Sequence, residues 1–343
     1  MMTKIKPIIT TRHLGIFVGL ALSVILFNYN LYAQESHMEP AAVAGPDACG
    51  ECHKGSMKSW KLSKHSTGFK NMSKSKDARA IAKKLSIKRI KKAGSICMDC
   101  HFTSIVAQDR VKAVAGPACE SCHGAGKSWI DLHSDFGGKD VKAEDETPAH
   151  KEERYKKSNA EGMIRPSDLY AVAQNCYSCH SILNEKLVNQ GGHSADKEFE
   201  LLSWTQGEVR HNVCYSKENQ EAPVERRRML FLVGKMLDLE YAYRGMAGAT
   251  KKATYSISTV RHVKAAKLVL EKIANLIDSA EVRVALNIAN RIKLKLNTRD
   301  IFIKAADDIA VATKRLAIND GMELSALDSM LPMSEEYKGK VLQ

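Results

Sequence analysis

Nearly all the cysteine in this chain sits in one pattern: Cys49-Gly-Glu-Cys52-His53, Cys97-Met-Asp-Cys100-His101, Cys119-Glu-Ser-Cys122-His123 and Cys176-Tyr-Ser-Cys179-His180. The four copies consume eight of the nine cysteines. Two thiols three positions apart lie on one helical turn and reach the two vinyl groups of a porphyrin as thioethers, and the next residue sets an imidazole under the iron. Each copy therefore reads as a c-type heme attachment site. The expected cofactors are four covalently bound heme c groups, with His53, His101, His123 and His180 as proximal ligands. All four motifs fall between residues 49 and 180, within a segment that runs to about residue 216 and leaves each heme about 40 residues of chain. Such a segment cannot build an ordinary side-chain core, so porphyrins must supply much of its buried apolar surface.

The rest of the chain divides around that segment. Residues 1–33 carry Lys4, Lys6 and Arg12, then the apolar run Leu14 to Phe27, then polar residues and a cleavage point after Ala33, which is the layout of a signal peptide. The run is shorter than the roughly 20 residues that span a bilayer. Leu31 sits where a small residue is usual, so the alternative is an uncleaved anchor giving membrane association. Export to the periplasm suits the motifs, because c-type hemes are attached outside the cytoplasmic membrane.

Residues 34–48 read as a flexible entry, 49–216 as the tetraheme domain and 331–343 as a tail. Residues 134–165, with Gly137-Gly138 and few apolar positions, read as a surface loop. From Pro223 to about residue 330 helical periodicity takes over. Met229, Leu232, Val233, Met236 and Leu237 form one apolar face; Val263, Ala266, Leu270, Ile273 and Ile277 form a second, and Phe302, Ala305, Ile309, Ala312 and Leu316 a third. Ser279 and Thr298 stand where helix caps belong. The expected fold is mainly α: a heme-packed domain with few strands, followed by an antiparallel bundle of three or four helices. The spacing also permits association with another copy into an oligomer.

Formal charge is +13, or +10 without the first 33 residues, whose three cations have no anions beside them. Heme propionates would offset part of this, so the basicity does not point to nucleic acid. Residues 54–94 hold fourteen Lys or Arg against Asp77 alone. That stretch is either a solvated face or a docking surface for an acidic redox partner protein, and Asp77 to Lys92 reads as an amphipathic helix within it. Cys214 is left over, as a buried small residue, a reactive thiol, a partner in an intermolecular disulfide or an unusual iron ligand.

An iron with one protein ligand can meet a substrate, and one with two cannot. His65, His133, His150, His193 and His211 are the candidates for the second position. His65 and His133 follow His53 and His123 too closely to loop round the same porphyrin, so each would cross to a neighbouring heme.

Cys49-x-x-Cys52-His53 followed by Ser59-Trp60-Lys61 and His65, Cys119-Glu120-Ser121-Cys122-His123-Gly124-x-Gly126 with His133, and a fourth motif with His211 downstream resemble the tetraheme cytochrome c554 family over about residues 46–215. The resemblance implies that His133 ligates the heme of His53, His65 that of His180 and His211 that of His123, leaving the heme of His101 open. His193 has no counterpart there; it would either close the heme of His101 or replace His211. The leading expectation is an exported electron carrier that is not an enzyme. The alternatives are reduction of a small ligand such as nitric oxide at an open His101 heme, or an electron-conducting subunit of a larger assembly. No phosphate loop, Ser-His-Asp set or HExxH motif competes.

Overall fold

In the computed structural model, which describes residues 38–195, 199–212 and 218–341, each Cys-x-x-Cys-His pentapeptide occupies about one helical turn. The signal-peptide segment, His13, His37 and Cys214 lie outside the described residues. The first motif closes helix α1 (Pro46–Gly50), and the amide of His53 donates to the Cys49 carbonyl at 3.0 Å before α2 (Lys54–Leu62) begins. Helices α3 (Lys64–Asn71) and α4 (Lys76–Lys84) follow, each started by a serine, Ser63 or Ser75, whose hydroxyl accepts a main-chain amide. The helix expected from Asp77 to Lys92 stops at Lys84, because Ser86 takes a left-handed conformation at φ 59°.

The second motif lies in α5 (Met98–His101). Behind it comes the one hairpin among the described residues, β1 (Thr103–Ala107) antiparallel to β2 (Arg110–Ala115). The third motif is α6 (Cys119–His123) and the fourth ends α8 (Leu169–His180). Between them α7 (Pro148–Ala160) occupies part of the stretch expected to be loop. It is started by the Thr147 hydroxyl with proline in its first turn, a local signal that does not depend on an apolar stripe.

Short helices α9 (Glu185–Asn189) and α10 (Leu201–Thr205) lead to the bundle: α11 (Val224–Ala247), α12 (Thr254–Ala274), α13 (Ala280–Arg291) and α14 (Arg299–Leu316). Ser279 caps α13 as expected, whereas the Thr298 hydroxyl donates to the Lys295 carbonyl and caps nothing. Pro223 sits just before the first turn of α11 and not within it. Helix α11 is buried almost all round, as a central helix must be, and packs against α12 and α14 on one side and α8 and α10 on the other. One continuous apolar core therefore runs from Leu169, Tyr170, Ala173 and Tyr177 of α8 into the bundle. The heme-motif half has a small cluster of its own: Ala82, Ile90, Cys97, Met98 and Phe102.

Polar ties do much of the remaining work there. Glu120, between the cysteines of the third motif, is 1% exposed and accepts from the amides of Ala44, Gly45 and Gly126 at 2.8, 2.8 and 2.6 Å. It pins part of the entry segment and the turn after α6 to one carboxylate. Glu120→Ala strands three donors, each of which loses a charge-assisted bond of about 1.5–3 kcal/mol in gross terms. We expect the holoprotein to lose about 3 kcal/mol in denaturant unfolding, and a loss below about 1 kcal/mol would contradict this account.

Candidate heme-iron sites

Each motif histidine faces one histidine from elsewhere in the chain. Ring centroids are 6.1 Å apart for His53 and His133, 6.1 Å for His65 and His180, 6.3 Å for His123 and His211, and 6.5 Å for His101 and His193. Two metal–imidazole bonds of about 2.0 Å, plus about 1.2 Å from each nitrogen to its ring centre, give about 6.4 Å. All four separations thus have the span of an imidazole–iron–imidazole unit. His150 pairs with no motif histidine: its Nδ1 lies 2.7 Å from Glu146.

The ring orientations suit ligation. Nδ1 of His123 meets the Ile164 carbonyl at 3.0 Å, that of His193 the Ser194 carbonyl at 3.0 Å and that of His211 the Val209 carbonyl at 2.7 Å, while His133 bonds the Ile130 carbonyl. A carbonyl only accepts, so Nδ1 carries the proton and Nε2 keeps its lone pair for a metal. Burial lowers the pKa of His65, His123 and His133, and takes His180 down to about 4, so the imidazoles stay neutral.

Among the described residues no cluster of three or more His, Cys, Asp or Glu could hold a bare metal ion. A porphyrin, however, brings four of the six donors and asks the protein for two. A further sign of fit is Trp129, whose ring lies 5.3 Å from that of His133. No acceptor among the described residues reaches its buried Nε1–H, a donor of the kind a propionate satisfies. The residues present fit heme c.

Thiols of different motifs touch. The sulfurs lie side by side, Cys49 by Cys119, Cys122 by Cys176 and Cys179 by Cys100. The attachment sites thus adjoin in the order first, third, fourth, second. Side chains reinforce the order. Trp60 Nε1 donates to the Pro117 carbonyl at 2.8 Å, and Asn175 Nδ2 to the Cys122 carbonyl at 3.0 Å. Thr103 joins the hairpin behind the second motif to the approach of the third, through Gly116 and Ala118. His180 is stacked under Phe199 at 4.4 Å.

The family model for cytochrome c554 and c-prime matches residues 48–124. Over that stretch the chain is similar to cytochrome c554. The match takes in the first three motifs, and its covalently bound heme c and electron-carrying role follow for the chain as a c-type cytochrome. No curated protein and no solved structure matches the chain. The fourth motif, the histidines beyond Gly124 and the bundle lie outside the matched stretch of this cytochrome.

Several residues that hold the sites carry no sequence signal. Tyr177, between the cysteines of the fourth motif, donates to both the Gly234 carbonyl and Asp238 of α11 at 2.8 Å. Arg154 donates to the His133 carbonyl at 2.6 Å and forks onto Glu146 at 2.7 and 2.5 Å, so α7 braces His133. Only the arrangement in space distinguishes these from surface polar residues.

The Arg154 bonds, with His150 adding to them, hold the Glu146 carboxyl down from 4.5 to about 2. A carboxylate whose folded pKa is depressed contributes stability above its unfolded value that is lost as pH falls toward the folded one. The melting temperature of the holoprotein should therefore drop between about pH 4.5 and 2, and Glu146→Gln should flatten that part of the curve while lowering the value at pH 7. A variant curve as steep as the wild type's would refute the assignment. A Cβ on Gly116 would lie 1.9 Å from the His65 carbonyl oxygen. Gly116→Ala should thus push His65 away from His180, and electron paramagnetic resonance should report one low-spin iron turned high-spin; an unaltered spectrum would sink this.

Proposed function

We propose that this cytochrome is an exported tetraheme electron carrier in which both axial positions of all four irons are filled by histidine. The observation that carries the reading is the set of four histidine pairs at 6.1–6.5 Å, each joining one motif histidine to one from a distant segment. One group would be held by Cys49, Cys52, His53 and His133, and a second by Cys97, Cys100, His101 and His193. Cys119, Cys122, His123 and His211 would hold a third, and Cys176, Cys179, His180 and His65 the fourth. When bound, heme c supplies one-electron uptake and release at an iron that alternates between ferric and ferrous.

What the chain contributes is binding, orientation and exclusion. Backbone carbonyls fix the tautomers of His123, His133, His193 and His211. Paired imidazoles leave no position for a small substrate, and no general acid or nucleophile is required. Contact between thiols of successive motifs brings neighbouring sites together, with the first and second motifs at the ends of the series. The N-terminal layout and the extracytoplasmic attachment of c-type hemes support a periplasmic location. No helix among the described residues is long and apolar enough to cross a membrane.

The reductase alternative needs an open iron on His101, and His193 at 6.5 Å weighs against it. Exposed Ile257, Leu268, Ile301 and Val311 on the bundle favour, as a second reading, association with another copy. Electron paramagnetic resonance of the oxidised holoprotein tests closure: only low-spin signals are expected, with no spectral shift when nitric oxide is added to the reduced protein. His193→Ala should create one high-spin iron that binds nitric oxide. A high-spin iron already present in the wild type would overturn the closed His101 site.

A further inference from the structure

Charge is unevenly spread along the attachment series, and residues 74–92 beside the second motif hold nine Lys or Arg against Asp77. Residues 54–94 bear fourteen Lys or Arg and one acid, and every one of those cations except Lys91 is exposed. Among the described residues, Lys64 alone has a carboxylate partner, Glu208 at 3.6 Å. Carboxylates of the chain therefore do not explain this density of charge, of which heme propionates would offset a part. By contrast, residues 131–146 around His133 carry six acids against two lysines.

The basic segment also forms the wall of one particular site. Ala82 and Ile90 pack with Cys97 and Met98 of the second motif. Helix α4 presses on the turn that carries His193. A Cβ on Gly191 would meet Leu85 at 3.0 Å and Ile81 at 3.3 Å, and one on Gly192 would meet Lys84 Nζ at 3.0 Å. The apolar side of α4 thus faces the His101–His193 pair, and its cationic side faces out.

We infer that the exposed face of α4 and the turn after it is the docking surface for an acidic redox protein, which exchanges electrons at the His101–His193 end. The inference rests on the carrier reading. An anionic lipid surface fits less well, because binding in a bilayer interface needs apolar side chains to insert. The described residues of α4 and the turn after it expose no large apolar side chain. A charge field of this kind acts mainly on the encounter, raising association rates by about 10 to 10³ at low salt.

The test uses the oxidised holoprotein and fully reduced flavodoxin, a small acidic flavoprotein, as the probe. One electron leaves the anionic flavin hydroquinone, giving the neutral semiquinone, and one ferric iron becomes ferrous. Stopped-flow reduction of the wild type should slow steeply with added salt. The combined variant Lys76→Glu, Arg79→Glu, Lys83→Glu and Lys88→Glu should be reduced at least about ten-fold more slowly at low salt, with a flat salt dependence and an unchanged paramagnetic spectrum. An equal charge change on the bundle (Lys264→Glu, Arg291→Glu, Lys293→Glu and Lys295→Glu) should alter the rate by no more than about two-fold. Equal slowing of both variants, or of neither, would overturn the docking surface. It would fall as well if the α4 variant lost binding to phosphatidylglycerol vesicles yet kept the wild-type flavodoxin rate. Failure of flavodoxin to reduce the wild type at all would count instead against the carrier reading.

Discussion

The fold of the N-terminal half depends on imidazoles meeting in pairs across long stretches of chain. His53 meets His133, His65 meets His180, His101 meets His193 and His123 meets His211, so four segments are drawn onto four motifs. Little else in that half could do so. Its own apolar cluster centres on five residues only, while the large core lies on α8, α10 and the bundle. Where metal-bearing groups supply the contacts that a side-chain core would otherwise make, the free energy of binding them is also folding free energy. The backbone is arranged accordingly, with short helices at the motifs and hydrogen bonds running from side chain to main chain between segments.

The positions between the cysteines show how the two halves are joined. Attachment chemistry leaves both intervening residues free, and the chain uses that freedom differently at each motif. Glu120 turns inward and gathers three amides from the entry segment and the turn after α6. Tyr177 instead turns toward α11 and bonds the Gly234 carbonyl and Asp238. A Cβ on Gly234 would lie 3.0 Å from Leu201, so the glycine lets α10 approach α11 closely at this point. The bundle therefore acts as the rigid support on which the fourth motif, in the interior of the attachment series, is mounted.

The parts of this arrangement that are legible in the sequence are those with a strict spacing rule. The pentapeptides follow from thioether geometry, and the faces of α11, α12 and α14 from the helical period, since both are local patterns repeated often enough to stand out. Helix α7 escaped because it lacks an apolar stripe: a threonine cap, a proline and the Arg154–Glu146 pair hold it. The hairpin turns at Gln108-Asp109, with φ of 52° and 56°, using residues that give a weaker signal than Asn-Gly. Which histidine meets which motif depends on tertiary folding, and His193 lies on a turn whose position against α4 no local pattern encodes.

Pairing of every motif histidine with a second imidazole has a consequence for selectivity. If no iron is open, discrimination cannot arise from a substrate pocket and must lie on the outer surface, where partners approach the ends of the series. The surface is differentiated in that way. Cations crowd the segment beside the second motif, and acids outnumber lysines around His133 beside the first. Charges of one sign spread over several helices and turns fix an approach direction without demanding a tight interface, which suits a carrier that must release its partner after each exchange. The same separation of charge makes the two ends unequal to any single partner, so the direction of electron flow can be set by docking even where the four sites share one ligand type.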